Sequence, residues 1–84
     1  MWVRSQDKIL LINCNSFELL SYEENSVFVI WGSNNNWLGQ YTTQEKALKV
    51  LDMLEQCVSG FTDEETSEFY NYGVFQIPQD DEVE

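Results

Sequence analysis

Residues 61–73, FTDEETSEFYNYG, hold the carboxylates Asp63, Glu64, Glu65 and Glu68 and four aromatic rings, with no positive charge among them. Two kinds of chemistry can be built from such a stretch. Carboxylates spaced like Glu64 and Glu68 serve as general acid and base when one of them is buried and its pKa raised. A run of acids without apolar shielding lacks that environment. Rings beside carboxylates otherwise supply the desolvated anchors of a protein interface, with the charge attracting a basic partner. The chain has no His, no nucleophile motif and no Gly-rich phosphate loop, so no enzymatic activity is expected. The runs TDEE and QDDE lack the spaced oxygen ligands and central glycine of a calcium loop, and no cofactor is implied.

Cys14 and Cys57 are too few for a disulfide framework, and no CxxC spacing exists for zinc. Each sits in an apolar stretch, so two buried free thiols in a reducing cytosol are expected, with a bridge between them left open. No run approaches the ~18 apolar residues of a membrane span, and the first residues lack the long apolar region of a signal peptide. The expected location is the cytosol.

The net charge of −11 is uneven. Through residue 49, five acids face four bases; from residue 50 onward there are ten acids and no base. Phosphate binding rests on Lys and Arg, so direct contact with nucleic acid or an anionic membrane is excluded. Attraction to a basic protein surface is favoured instead, with a fast and salt-sensitive encounter.

The elements that must carry these residues follow from periodicity. KILLINC (8–14) and SFELLSY (16–22) read as strands joined by a turn, and SVFVIWG (26–32) is the strongest strand pattern in the chain. GSNNN then supplies residues that accept positive φ, a hairpin signal before WLGQY (37–41). Thr42 with Glu45 three residues on has capping-box spacing. Ala47, Val50, Leu51, Leu54 and Val58 share one helical face, and Gly60 closes the helix. Residues 62–70 form a second short helix capped by Thr62, with Phe61 and Phe69 packing on the core. YGVFQI (72–77) is a final strand ended by Pro78. The order β-β-β-β-α-(α)-β predicts an α+β fold, a small antiparallel sheet of about five strands with one amphipathic helix on one face. Residues 1–78 form a single domain, and 79–84 a mobile acidic tail.

WVRSQDK (2–8), LGQYTTQEKALKVLDMLE (38–55) and VFQIPQDDE (74–82) resemble a group of small proteins of Gram-positive bacteria and their prophages and mobile elements. The resemblance implies a setting rather than an activity. Small acidic proteins of that setting are often similar, in size and charge, to nucleic-acid mimics and anti-CRISPR inhibitors.

The reading that follows is an acidic inhibitor of a basic nucleic-acid-binding host protein, most sharply an RNA-guided CRISPR effector nuclease, whose guide–target channel is basic. Its partner-binding candidates are Asp52, Glu55, Asp63, Glu64, Glu65, Glu68, Tyr70, Tyr72, Asp80, Asp81 and Glu82. The alternative is a structural or homodimerising accessory protein, paired through an exposed edge of WLGQY or VFQI, whose acidic surface confers only solubility.

Overall fold

The computed structural model describes residues 1–84. The α+β class is as expected. The strands run β1 (Trp2–Arg4), β2 (Leu11–Asn13), β3 (Phe17–Tyr22), β4 (Val27–Gly32) and β5 (Asn36–Tyr41); helices α1 (Gln44–Ser59) and α2 (Glu64–Phe69) follow, then β6 (Tyr70–Asn71) and β7 (Val74–Gln76). They make two sheets rather than one, with orders β2-β1-β7-β6 and β3-β4-β5. The division arises because β1, which has no strand pattern of its own, pairs in parallel with β7, Val3 opposite Phe75. Both chain ends are thereby drawn into one sheet.

The β3-β4-β5 sheet is antiparallel throughout. Its second hairpin turns through Ser33–Asn35, where Asn34 and Asn35 take φ of 61° and 59°, the left-handed conformation for which asparagine is suited. A bulge lies between the Ile30–Gly39 and Trp31–Trp37 pairs. The extra residue is Leu38, fully buried in the core.

Gln6 joins the sheets. Its backbone N–H donates to Leu38 O at 2.6 Å, its side-chain oxygen accepts from Gln40 N at 3.1 Å, and its Nε2 donates to Gln40 O and Pro78 O. One buried amide thus satisfies backbone groups of two segments and seals the free flank of β5. Gly39 permits this approach, because a Cβ there would lie 2.8 Å from Ile77 Cγ2 and 3.2 Å from Gln6 Cβ.

Helix α1 covers β3, β4 and β5. Its buried stripe is Ala47, Val50, Met53, Leu54 and Cys57. Leu51 and Val58 fall on its margin, Leu51 half-buried and Val58 exposed. The cap is Thr43, whose hydroxyl accepts from Lys46 N, and not Thr42. Thr42 instead spends its N–H and hydroxyl on Asp80, at 2.8 and 3.1 Å. Gly60, at φ 85°, ends the helix as expected.

Residues 79–84 are docked, contrary to the expected mobile tail. Asp80–Glu82 form a 3-10 turn in which Gln79 N donates to Glu82 Oε1 at 2.8 Å. Gln79 Nε2 reaches Gln6 O, and Val83 enters the core with 2% exposure. Burial of Val83 and the polar ties of Asp80 hold down a segment whose composition alone reads as solvated.

Candidate protein-binding surface

Helix α2 is shorter than the sequence indicates and is capped by Asp63 rather than Thr62. The Asp63 carboxylate accepts from Thr66 N at 2.8 Å and from Gln56 Nε2 at 3.1 Å. Its negative charge suits the cap at the positive end of the helix, while the Thr62 hydroxyl pairs with that of Ser67. The Thr66 N–H first, and then the Gln56 amide, hold the Asp63 carboxyl below its ordinary range. Thr66 is fully buried, and the Asp63–Gln56 and Glu65–Lys49 contacts tie α2 to α1.

The candidate acids divide by what they touch. Lys49 Nζ pairs with Glu65 Oε1 at 3.0 Å, and Lys46 Nζ with Asp80 Oδ2 at 3.2 Å. The Thr42 N–H lowers the Asp80 pKa most; burial opposes it, and Lys46 and the Thr42 hydroxyl lower it further. Glu82 accepts from Gln79. Asp52, Glu64, Glu68 and Asp81 are exposed, and their carboxylates take no hydrogen bond from the protein. Glu64 and Glu68, the pair with acid–base spacing, are both solvent-facing.

Helix α1 aligns most of these groups. Lys46, Lys49, Met53 and Gln56 lie along one flank at helical spacing, and through them Asp80, Glu65 and Asp63 are strung beside the helix with Asp52. Lys46 and Gln56 are ten residues apart, a rise of about 15 Å. Glu64 and Glu68 follow on α2, and Asp81 and Glu82 come next to Asp80, so these segments together with the flank carry eight carboxylates against two lysines. Glu55 is not among them: it lies on the opposite flank, beside Phe17, Leu51 and Val58.

The rings also divide. Phe69 and Tyr70 pack against the core. Phe61, expected in the core, is 84% exposed, and Tyr72 is wholly exposed. Phe61 follows the glycine that closes α1, and its N–H donates to Gln56 O at 3.2 Å. An apolar residue there ordinarily folds back onto the helix; this one projects into solvent. Tyr72 and Gly73 are the two loop residues between Asn71 and Val74, with φ of 54° and 81°. Positive φ at both central positions is the type I′ pattern, which prefers Asn at the first position. The tyrosine is therefore held in a strained backbone conformation with its ring in water. The two most displayed aromatic rings of segment 61–73 flank the acidic helix.

Cys14 and Cys57 are buried free thiols, and burial raises the pKa of both. No cluster of His, Cys, Asp or Glu has the geometry of a metal site, and no helix is long and apolar enough to cross a membrane. No family model, curated protein or solved structure matches the chain.

Proposed function

We propose that this protein is a non-catalytic inhibitor that presents the acidic flank of α1 and α2 to a basic, nucleic-acid-binding host protein and occupies the surface where that protein holds phosphates. The observation that carries this reading is that Phe61 and Tyr72 stand exposed before and after α2, whose Glu64 and Glu68 carboxylates are free, as is that of Asp52 on α1. Acids alone serve solubility. Large rings left exposed on either side of them have no such role, and one is kept exposed at a backbone cost. Interfaces draw their binding energy from such rings, while surrounding charge sets encounter rate and partner choice.

Density on the flank supports mimicry of a phosphate backbone. Four carboxylates, those of Asp80, Glu65, Asp63 and Asp52, lie beside a helix stretch of about 15 Å, about one per 4 Å with two of them paired to lysines, against one phosphate per ~3.4 Å along a DNA strand. A guide-binding nuclease in the cytosol of a bacterial host, met by a phage or mobile-element product, is the sharpest form of the proposal.

The test uses the purified protein as bait in host lysate, at low and high salt, with and without competing duplex DNA. Recovery of a basic nucleic-acid-binding protein, weakened by salt and displaced by DNA, is expected. The decisive variant is Asp52→Asn with Glu64→Gln and Glu68→Gln, which spares Asp63, Glu65 and Asp80 because those acids hold the fold. Binding at low salt should fall by about tenfold or more; capture unchanged by the triple substitution would sink the assignment.

A further inference from the structure

The two sheets have four edges, and three are closed or blunted. Strand β2 offers three residues and β6 two, and the free flank of β5 is sealed by Gln6. This corrects the edges expected from sequence, since WLGQY is sealed and VFQI lies inside a sheet between β1 and β6. The remaining edge is β3, six residues long, paired only to β4. Phe17–Tyr22 contains no proline and no lysine, and Glu18 is the one charge that blunts it. Leu20 and Tyr22 are 41% and 40% exposed along it. Beside it, a groove of about 310 Å³ is lined by Phe17, Leu51, Glu55 and Val58.

We infer that β3 pairs with β3 of a second copy of this chain, in an antiparallel two-fold contact centred on Leu20 that joins two three-stranded sheets into one of six. Three observations favour a second copy over a foreign strand. A two-fold axis makes the contact self-satisfying, since each copy supplies the same edge to the other. Centring on Leu20 sets Glu18 opposite Tyr22 and Leu19 opposite Ser21, so no carboxylate faces another. The acidic flank of α1 also points away: Leu48, Leu51, Glu55 and Val58 lie roughly opposite Lys46, Lys49, Met53 and Gln56 around the helix. Two chains of charge −11 can meet at this edge with their acid-rich sides apart.

The charge gives the contact a signature distinct from partner binding on the acidic flank. Copies of like net charge repel, and salt screens that repulsion. Self-association through β3 therefore strengthens as salt rises, whereas capture of a basic partner weakens.

The experiment is sedimentation equilibrium of the full chain over a range of concentration and salt, with amide hydrogen exchange on the same samples. Expected are a monomer–dimer equilibrium that salt shifts toward dimer and β3 amides that slow as the dimer fills. Leu20→Lys, which sets cation against cation at the axis, should raise the dissociation constant about tenfold or more. If that variant does not fold, the concentration dependence of β3 exchange in the unaltered protein decides alone. A chain that stays monomeric throughout, or a dimer whose β3 amides do not change, overturns the inference. Neither result bears on the acidic flank, which the lysate capture tests separately.

Discussion

Substituting Tyr72→Asn should stabilise the fold while weakening partner binding. Tyr72 sits at φ 54° in a two-residue loop, with its ring fully in solvent. The left-handed conformation costs an ordinary L-residue about 1–2 kcal/mol, and asparagine much less. No buried contact is lost with the ring, and Asn-Gly is the sequence this turn prefers. A gain of about 0.5–1 kcal/mol is expected. For a domain of this size, that raises the melting temperature by roughly 2–8 °C. Urea unfolding measures it as a higher midpoint at unchanged m value, and Tyr72→Phe, with the same backbone demand, should not move the midpoint. In lysate capture, Tyr72→Asn should lose about tenfold or more in affinity if the ring is an anchor. Lower or unchanged stability would refute the strained turn. Full binding by the stabilised variant would refute the anchor.

Val83→Ala should cost about 1–3 kcal/mol by urea unfolding, since it removes two methyl groups from the core; truncation after Pro78 should cost more, because it also removes the ties of Asp80 to Thr42 and Lys46. A midpoint unmoved by truncation would mean that residues 79–84 contribute nothing to the fold. Asp63 and Asp80 have folded pKa values below the ordinary 3.8. Their contribution is therefore complete above about pH 5 and is lost as pH falls through the lowered folded values; urea midpoints should hold from neutral to about pH 5 and drop below about pH 4, less steeply in Asp80→Asn. Both cysteines should react slowly with an aromatic disulfide reagent at neutral pH and rapidly in urea, since burial disfavours each thiolate; fast labelling of native protein would contradict the buried placement.

What was legible in the sequence is what is local. Helix α1 announces itself by an apolar repeat with a threonine before it and a glycine after it, and β3, β4 and β5 by alternation around an asparagine turn. The parallel pairing of Trp2–Arg4 with Val74–Gln76 has no local signal, because its partners lie at opposite ends of the chain. The choice of Thr43 over Thr42 as cap depends on Asp80, and the order of residues 79–84 depends on where Val83 lands. The candidate surface was legible as an acidic, aromatic segment. Which rings it displays was not, since Phe61 and Phe69 have the same chemistry and differ only in how the chain leaves α1. The strain at Tyr72 had a sequence signal after all: Asn-Tyr-Gly-Val places an aromatic where a two-residue hairpin calls for asparagine.

Three stretches far apart in the sequence meet in space. WVRSQDK supplies β1 and Gln6, LGQYTTQEKALKVLDMLE supplies the flank of β5 and the start of α1, and VFQIPQDDE supplies β7, Pro78 and Asp80. Gln6, Gln40, Thr42, Lys46, Pro78 and Asp80 are bound into one hydrogen-bonded seam. That seam is what a fold of this size needs: every partner in it is a backbone group or a group holding one. Segment 61–73 hangs outside it, held by Asp63, Glu65, Thr66, Phe69 and Tyr70, and leaves Phe61, Glu64, Glu68 and Tyr72 to solvent. A substitution in the seam should therefore alter stability and binding together. A substitution at Phe61, Glu64, Glu68 or Tyr72 should alter binding alone or move the two in opposite directions. The physical separation of these two groups of residues makes the proposed function testable without first knowing the partner's name.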